Sequence, residues 1–285
     1  MGKILSYLKT TIFFIIFSLF ISLPLYAQIN LENQYKAAEE IYNLGLYYDA
    51  ITEYKRLLLF DSGRQYEYEA NLKIALCYKV GGKYDDAVPY FAKAEKSAPG
   101  QNEKFDARIQ IVRVNILRRT EGRALELLDI LEKEPADEPR IDEINYWRGW
   151  TFMFTGDFGK AAEKFEKSSK GEELKKISLK ADSAKYSVTF AKVISYILPG
   201  AGEIYTGELL SGIISFGWNA LCAYLTVNAF AGNRILDGIL IGDLLFLRFY
   251  RGNIQNAGKF AVKKNLEIIN NTLSYIQNNY QGIKP

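Results

Sequence analysis

The apolar positions of this chain fall into two regimes, one periodic and one continuous. Over residues 31–170 an alanine recurs at Ala50, Ala87, Ala124 and Ala161, in equal steps of 37 residues. A bulky apolar residue follows each alanine four places on, at Tyr54, Phe91, Leu128 and Phe165, and Leu57, Ala94, Leu131 and Ser168 extend the same stripe by a further helical turn. A fixed period of this size marks one supersecondary unit copied along the chain, each copy covering its apolar face with its neighbour. Four helical hairpins are predicted, followed by a charged linker helix over 171–185. The regime then changes. Residues 209–233 are 25 consecutive uncharged positions, enough to cross a bilayer with some tilt. A second apolar stretch, 235–247, carries Asp237 and Asp243, and a third, 187–205, is broken by Pro199, Gly200 and Gly202. Leu266, Ile269, Leu273 and Ile276 predict an amphipathic tail helix within 258–285; Lys259, Lys263 and Lys264 before it make a lipid surface its first expected resting place.

The opening residues add an export signal. Lys3 and Lys9 precede the apolar run 12–23, and Leu25, Tyr26 and Ala27 precede the polar Gln28, the layout of a secretory signal over 1–27. Leucine is a poor residue three places before the cut, so an uncleaved anchor is the alternative. Either form sends the residues after it across the inner membrane.

The turns between paired helices carry specific chemistry. Gly45, Gly82 and Gly156 allow a tight reversal, the aromatics Tyr47, Tyr84 and Phe158 fill the space under it, and each alanine lets two backbones approach. The third unit departs, with Arg119 in the glycine place and Glu121 in the aromatic place, which predicts a distorted turn. Pro99 and Pro135 stop the second and third units. This arrangement resembles the tetratricopeptide repeat family, whose pattern includes the Gly-x-aromatic-x-x-Ala-x-x-x-aromatic segment; Tyr78, Gly149 and Phe152 extend the match, and the period exceeds the family's usual 34. The resemblance implies an all-α helical-hairpin solenoid whose first helices line a concave groove. A protein or peptide partner is expected there, on Leu76, Lys79, Arg113, Tyr146, Trp147, Trp150 and Met153. Trp147 and Trp150 are partner anchors if exposed and ordinary packing residues if buried, the commoner case.

A second resemblance covers the apolar regime. Leu198-Pro-Gly-Ala-Gly-Glu-Ile-Tyr-Thr-Gly207, then Gly212, is similar to a short bacterial membrane domain with a Pro-Gly-x-Gly-Gln-x-Tyr-x-Gly signature, often fused behind tetratricopeptide repeats. Phe249, Tyr250, Gly252, Asn253 and Ala257 are similar to its closing segment. The resemblance implies a small helical transmembrane domain over 186–257, with Pro199, Gly200, Gly202, Tyr205, Gly207, Gly212, Asp243, Gly252 and Asn253 as its motif residues. Glu203 stands where glutamine is usual, which argues against a polar role for it. Some members of that family are joined to a membrane-insertion factor, which points toward envelope assembly.

Charge and composition narrow the function. With 36 basic and 33 acidic residues, the net charge of +3 gives no argument for nucleic acid. The chain has no histidine, the commonest general base and metal ligand. Cys77 and Cys222 stand in different regimes, so neither a disulfide scaffold nor a zinc spacing is expected. Asp85 and Asp86 are adjacent on a helix and point apart, against paired-carboxylate catalysis. No enzyme, cofactor or metal is expected. The expectation is a membrane-anchored interaction scaffold in the bacterial inner membrane, with its repeats periplasmic. The bilayer is one partner, and self-association through glycine-rich helices such as Gly238 to Gly242 is another. The alternative is a subunit of a transport or insertion assembly using the acids Glu203, Asp237 and Asp243. Basic residues after 247 favour three crossings, with a re-entrant segment at Pro199 and a two-helix hairpin as the rival.

Overall fold

The computed structural model describes residues 30–135 and 137–285; the predicted export signal lies outside them. The described residues are all-helical with repeat-like packing of adjacent helices, and the chain divides into two compact units, Met1–Gly100 and Gln101–Pro285.

The first unit holds two hairpins, α1 (Leu31–Asn43) with α2 (Tyr47–Phe60) and α3 (Glu67–Val80) with α4 (Tyr84–Ser97). The stripe read from the sequence is their core: Ala50, Tyr54 and Leu57 of α2 pack with Ala38, Ala70, Ile74 and Cys77. The Tyr54 hydroxyl donates to Glu39, which also takes the Lys73 ammonium at 2.8 Å, so the polar tip of this core tyrosine is satisfied. Leu76 and Lys79 are half-buried on α3.

The second unit continues the period with α5 (Gln101–Leu117), α6 (Glu121–Lys133), α7 (Glu138–Thr155) and α8 (Phe158–Glu166). Ala124, Leu128, Ala161 and Phe165 are fully buried, as the spacing requires. The turn before each second helix has a left-handed residue at the same repeat position: Gly45 at φ 76°, Gly82 at 69°, Arg119 at 60° and Gly156 at 75°. The third turn is therefore not distorted. Arg119 holds the glycine conformation at a cost of about 1–2 kcal/mol for an L residue, and its guanidinium donates to the Phe154 carbonyl at 3.0 Å and lies over the Phe154 ring. Residues 172–183 are helical, as the pattern of 171–185 predicts. Here α9 (Glu172–Ser183) packs on α8 and buries Leu174 and Ser178, and Gly171 lets it start beside the Phe165 carbonyl, where a Cβ would sit at 2.1 Å.

After α9 come α10 (Val188–Ile197), α11 (Ala201–Tyr205) and α12 (Leu209–Ala231). A turn at Asn233, itself left-handed at φ 56°, leads to α13 (Ile235–Leu240), a π-helical stretch (Ile241–Leu247) and α14 (Arg248–Asn279), which follow one another without a break. The break at Pro199 follows directly on α10, which ends at Ile197. Helix α10 has 10 residues, which at 1.5 Å each reach about 15 Å, half of a ~30 Å hydrocarbon core. Helix α12 is long and apolar enough to cross a membrane, and only 17% of its most apolar stretch is buried. It pairs with α13 and the π-helical stretch as a hairpin. Gly238 and Gly242 serve that pairing within the chain, since a Cβ on them would meet the Phe230 ring at 2.8 Å and Thr226 at 3.2 Å.

Helix α14 does not rest on its apolar face alone, as a lipid-lying tail would. Ile269 presses against the Gly156 turn, Ile276 is buried, and Asn265 brackets Tyr186 by accepting from its N–H at 2.8 Å and donating to its carbonyl at 2.9 Å. The tail helix is thus clamped to the hairpin stack and to the start of α10.

Candidate functional site

Two constellations stand out in the second unit, one at the foot of the apolar hairpin and one on α7. At the foot, small residues create contacts that larger ones forbid. Gly200, at φ 91°, sits so close to α12 that a Cβ would lie 2.1 Å from the Gly212 carbonyl oxygen. A Cβ on Gly212 would lie 2.7 Å from the Gly200 oxygen, and one on Gly202 would strike the Ala191 carbonyl at 2.2 Å and Ala257 at 2.6 Å. Helices α10, α12 and α14 therefore converge on the short α11, with Ala191, Ala257 and Ala261 as a small-residue seam.

Inside this knot lies Glu203, fully buried. Ser195 Oγ donates to it at 3.3 Å and Ser215 Oγ at 3.2 Å. With its amide nitrogen facing the carboxylate, Asn253 donates to both oxygens at 2.7 and 2.8 Å, while its own oxygen accepts from the Gly200 N–H at 2.7 Å. Ser195 Oγ also accepts from the Gly202 N–H at 2.8 Å. A carboxylate removed from water needs such a set of donors. The expectation that glutamic acid at 203 loses a polar role is corrected: it is the hub that ties the Pro-Gly segment to Asn253.

The other motif residues take lesser parts. Pro199 ends α10. Tyr205 accepts from the Ser187 N–H at 3.1 Å and packs edge-on to Tyr186 and Phe190. Gly207 is left-handed at φ 85° in open space, and a Cβ on Gly252 meets nothing. Asp243 is exposed and lines a cavity of about 630 Å³ with Ser215, Asn219, Arg248, Arg251 and Asn253. The third acid, Asp237, pairs with Arg234 at 3.7 Å at the hairpin tip, so the structure does not bring the three acids together.

The α7 constellation lies on the predicted groove, and there the structure changes the picture. Tyr146, Trp147, Trp150 and Met153 are buried, with Trp147 1% and Trp150 2% exposed. Tyr146 stacks edge-on against Trp147 and Phe165, and Trp150 does so against Phe165, with Gly149 admitting the Phe165 ring at a distance where a Cβ would meet it at 2.7 Å. Packing thus accounts for both tryptophans. Their cover is in part the chain's own closing segment. The Tyr146 hydroxyl lies 3.0 Å from the Tyr280 hydroxyl and donates to the Ile283 carbonyl. Arg113 Nη2 donates to the Lys284 carbonyl at 2.8 Å, with its guanidinium 4.7 Å over the Trp147 ring. The Tyr280 ring packs on Trp150 at 6.2 Å. Burial pulls the Arg113 pKa below its ordinary value against the opposing pull of Glu143. Burial and the Tyr280 hydrogen bond raise that of Tyr146, which keeps its hydroxyl a neutral donor.

Sequence reasoning reached Arg113, Tyr146, Trp147, Trp150 and Met153 but not Tyr280, Gly282 or Ile283, which come after the last helix and carry no period. It missed Ser195, Ser215 and Asn265 as well; a single polar residue in an apolar stretch was the only signal for the two serines, and Asn265 had none. No family model matches this chain, and no curated protein matches it.

Proposed function

We propose that the protein is a membrane-anchored interaction scaffold of the bacterial envelope: tetratricopeptide-like hairpins bind a protein or peptide partner, and the hairpin of residues 209–247 holds them at the inner membrane. The observation that carries the reading is the α7 surface itself. It receives a non-helical segment through main-chain carbonyls and one aromatic ring, the way groove-binding peptides are received. The anchor rests on α12, whose apolar side chains face outward where the core helix of a water-soluble domain would bury them.

The contacts of the second unit limit the topology. Helix α7 and Tyr280 touch, so the chain between them crosses a bilayer an even number of times. Two crossings fit, one by α12 and one by the unbroken helical run that starts at Ile235, with Arg234 and Asp237 at the far tip. The side is a contest between two signals. Arg248, Arg251 and Lys259 lie at the hairpin foot, which the positive-inside tendency places in the cytoplasm, whereas the leading segment 1–27 exports the chain after it. The leading segment takes precedence, because the first helix usually dominates orientation. In the transport alternative Glu203 would be a moving charge, but the donors around it favour a fixed one.

A photo-crosslinking residue in place of Phe154, half-buried beside Trp150 and Arg119, tests the scaffold in native membranes. A discrete second polypeptide is expected, with its yield cut by Arg113→Ala. Crosslinks confined to the protein's own helices would count against the scaffold.

A further inference from the structure

The tail fits the α7 surface in a way that leaves it replaceable. The chain leaves α14 at Tyr280, φ −73° and ψ 125°, and bends at Gly282 over the Tyr280 ring. That bend depends on Gly282, where a Cβ would lie 2.1 Å from the Tyr280 hydroxyl. The segment satisfies Tyr146 and Arg113 Nη2, yet Arg113 Nε, buried beneath it, has no hydrogen-bond partner, and Trp150 Nε1 has only the Tyr146 hydroxyl to turn to, short of good hydrogen-bond geometry. A buried donor without an acceptor is left at a disadvantage, so a ligand that supplied the missing acceptors would hold this surface better than the tail does.

We propose that residues 280–285 are a cis-acting ligand of the α7 groove, displaced by an extended partner peptide that places an aromatic ring on Trp150 and offers carbonyl or carboxylate oxygens to Arg113 and Trp150. This rests on the groove being a peptide site, and it adds the partner's chemistry and a built-in competitor. The tail blocks weak ligands and yields to one with the fuller acceptor set. It also sets a threshold: a tail that fills the groove about nine-tenths of the time weakens a trans ligand about tenfold.

The test uses the full chain in detergent and a fluorescein-labelled synthetic peptide with the sequence of residues 277–285, read by anisotropy. Three proteins are compared: the intact chain, the chain ending after Asn279, and Gly282→Ala, which dislodges the tail while leaving every groove residue in place. The expected result is peptide binding about tenfold tighter or more in both altered proteins than in the intact chain, lost again when Tyr146→Phe is added to either. Equal affinity across the three proteins would overturn the proposal, as would binding indifferent to Tyr146→Phe. Loss of helical circular dichroism in both altered proteins would overturn it too, because the tail would then be part of the core. A partner crosslinked at Phe154 together with unchanged peptide affinity would leave the scaffold standing and remove only the cis ligand.

Discussion

Gly200→Ala is expected to take apart the foot of the apolar hairpin, while Gly207→Ala, seven residues on, leaves it assembled. Both glycines have left-handed backbones, φ 91° and 85°, so both substitutions carry the same conformational strain of about 1–2 kcal/mol. They differ in what the new methyl meets. At 207 it enters open space, whereas at 200 it lies 2.1 Å from the Gly212 carbonyl, a backbone atom that moves only if α12 moves. Gly200 N–H is also the donor that holds the Asn253 amide, so a shift of the turn breaks the Glu203 set at once. In detergent the Gly200→Ala protein should lose several degrees more in thermal midpoint than Gly207→Ala. It should also open the 187–205 segment to proteolysis. Equal midpoints for the two would mean that the close approach to α12 is not a source of stability.

Replacing Glu203 should have the next largest effect, and its direction depends on the replacement. Leucine removes both acceptor oxygens, leaving the Asn253 amide and the Ser215 hydroxyl without partners in a dry site, at about 1–3 kcal/mol for each. Glutamine keeps one acceptor for Asn253 and presents an amide that Ser195 or Ser215 can accept by turning its hydroxyl, so it should cost far less. The thermal midpoints should rank native, then Glu203→Gln, then Glu203→Leu well below. A leucine protein as stable as the native one would show that the buried carboxylate is not the hub of the knot.

The parts of this fold that are legible in the sequence are those whose cause is local. Ala50, Ala87, Ala124 and Ala161 mark the repeat because a helix interface tolerates only small residues at its closest point, and all four are buried where the period puts them. The Arg119 turn escaped that logic: the side chain predicts strain, but its stacking on Phe154 comes from another helix. The continuous helical run from Ile235 to Asn279 was hidden for a similar reason, since the apolar stretch carries Asp237 and Asp243 and stops at Leu247, and only packing on α10 and α12 shows that the helix runs on. Among the site residues, Arg113 and the α7 aromatics follow from helix periodicity. The Glu203–Asn253 pair and the Tyr280 contact join positions far apart in the chain, and one sequence holds no record of such pairings. The tail helix shows the same limit: Ile269 meets the Gly156 turn and Ile276 is buried, contacts that the helix's own apolar face gave no sign of.

The proposed function stands on one arrangement, in which the hairpin of α12 and the helical run that starts at Ile235 crosses the membrane while α6, α7 and the closing segment remain together on one side. Single cysteines at three exposed sites test it: Gly122→Cys at the start of α6, Asn278→Cys near the end of α14, and Gly232→Cys at the hairpin tip, with the buried Cys77 and Cys222 left in place. In sealed spheroplasts treated with a membrane-impermeant maleimide, positions 122 and 278 should label from outside, and position 232 only after permeabilisation. Labelling of 122 and 278 from opposite sides, or of all three from the same side, would contradict the arrangement.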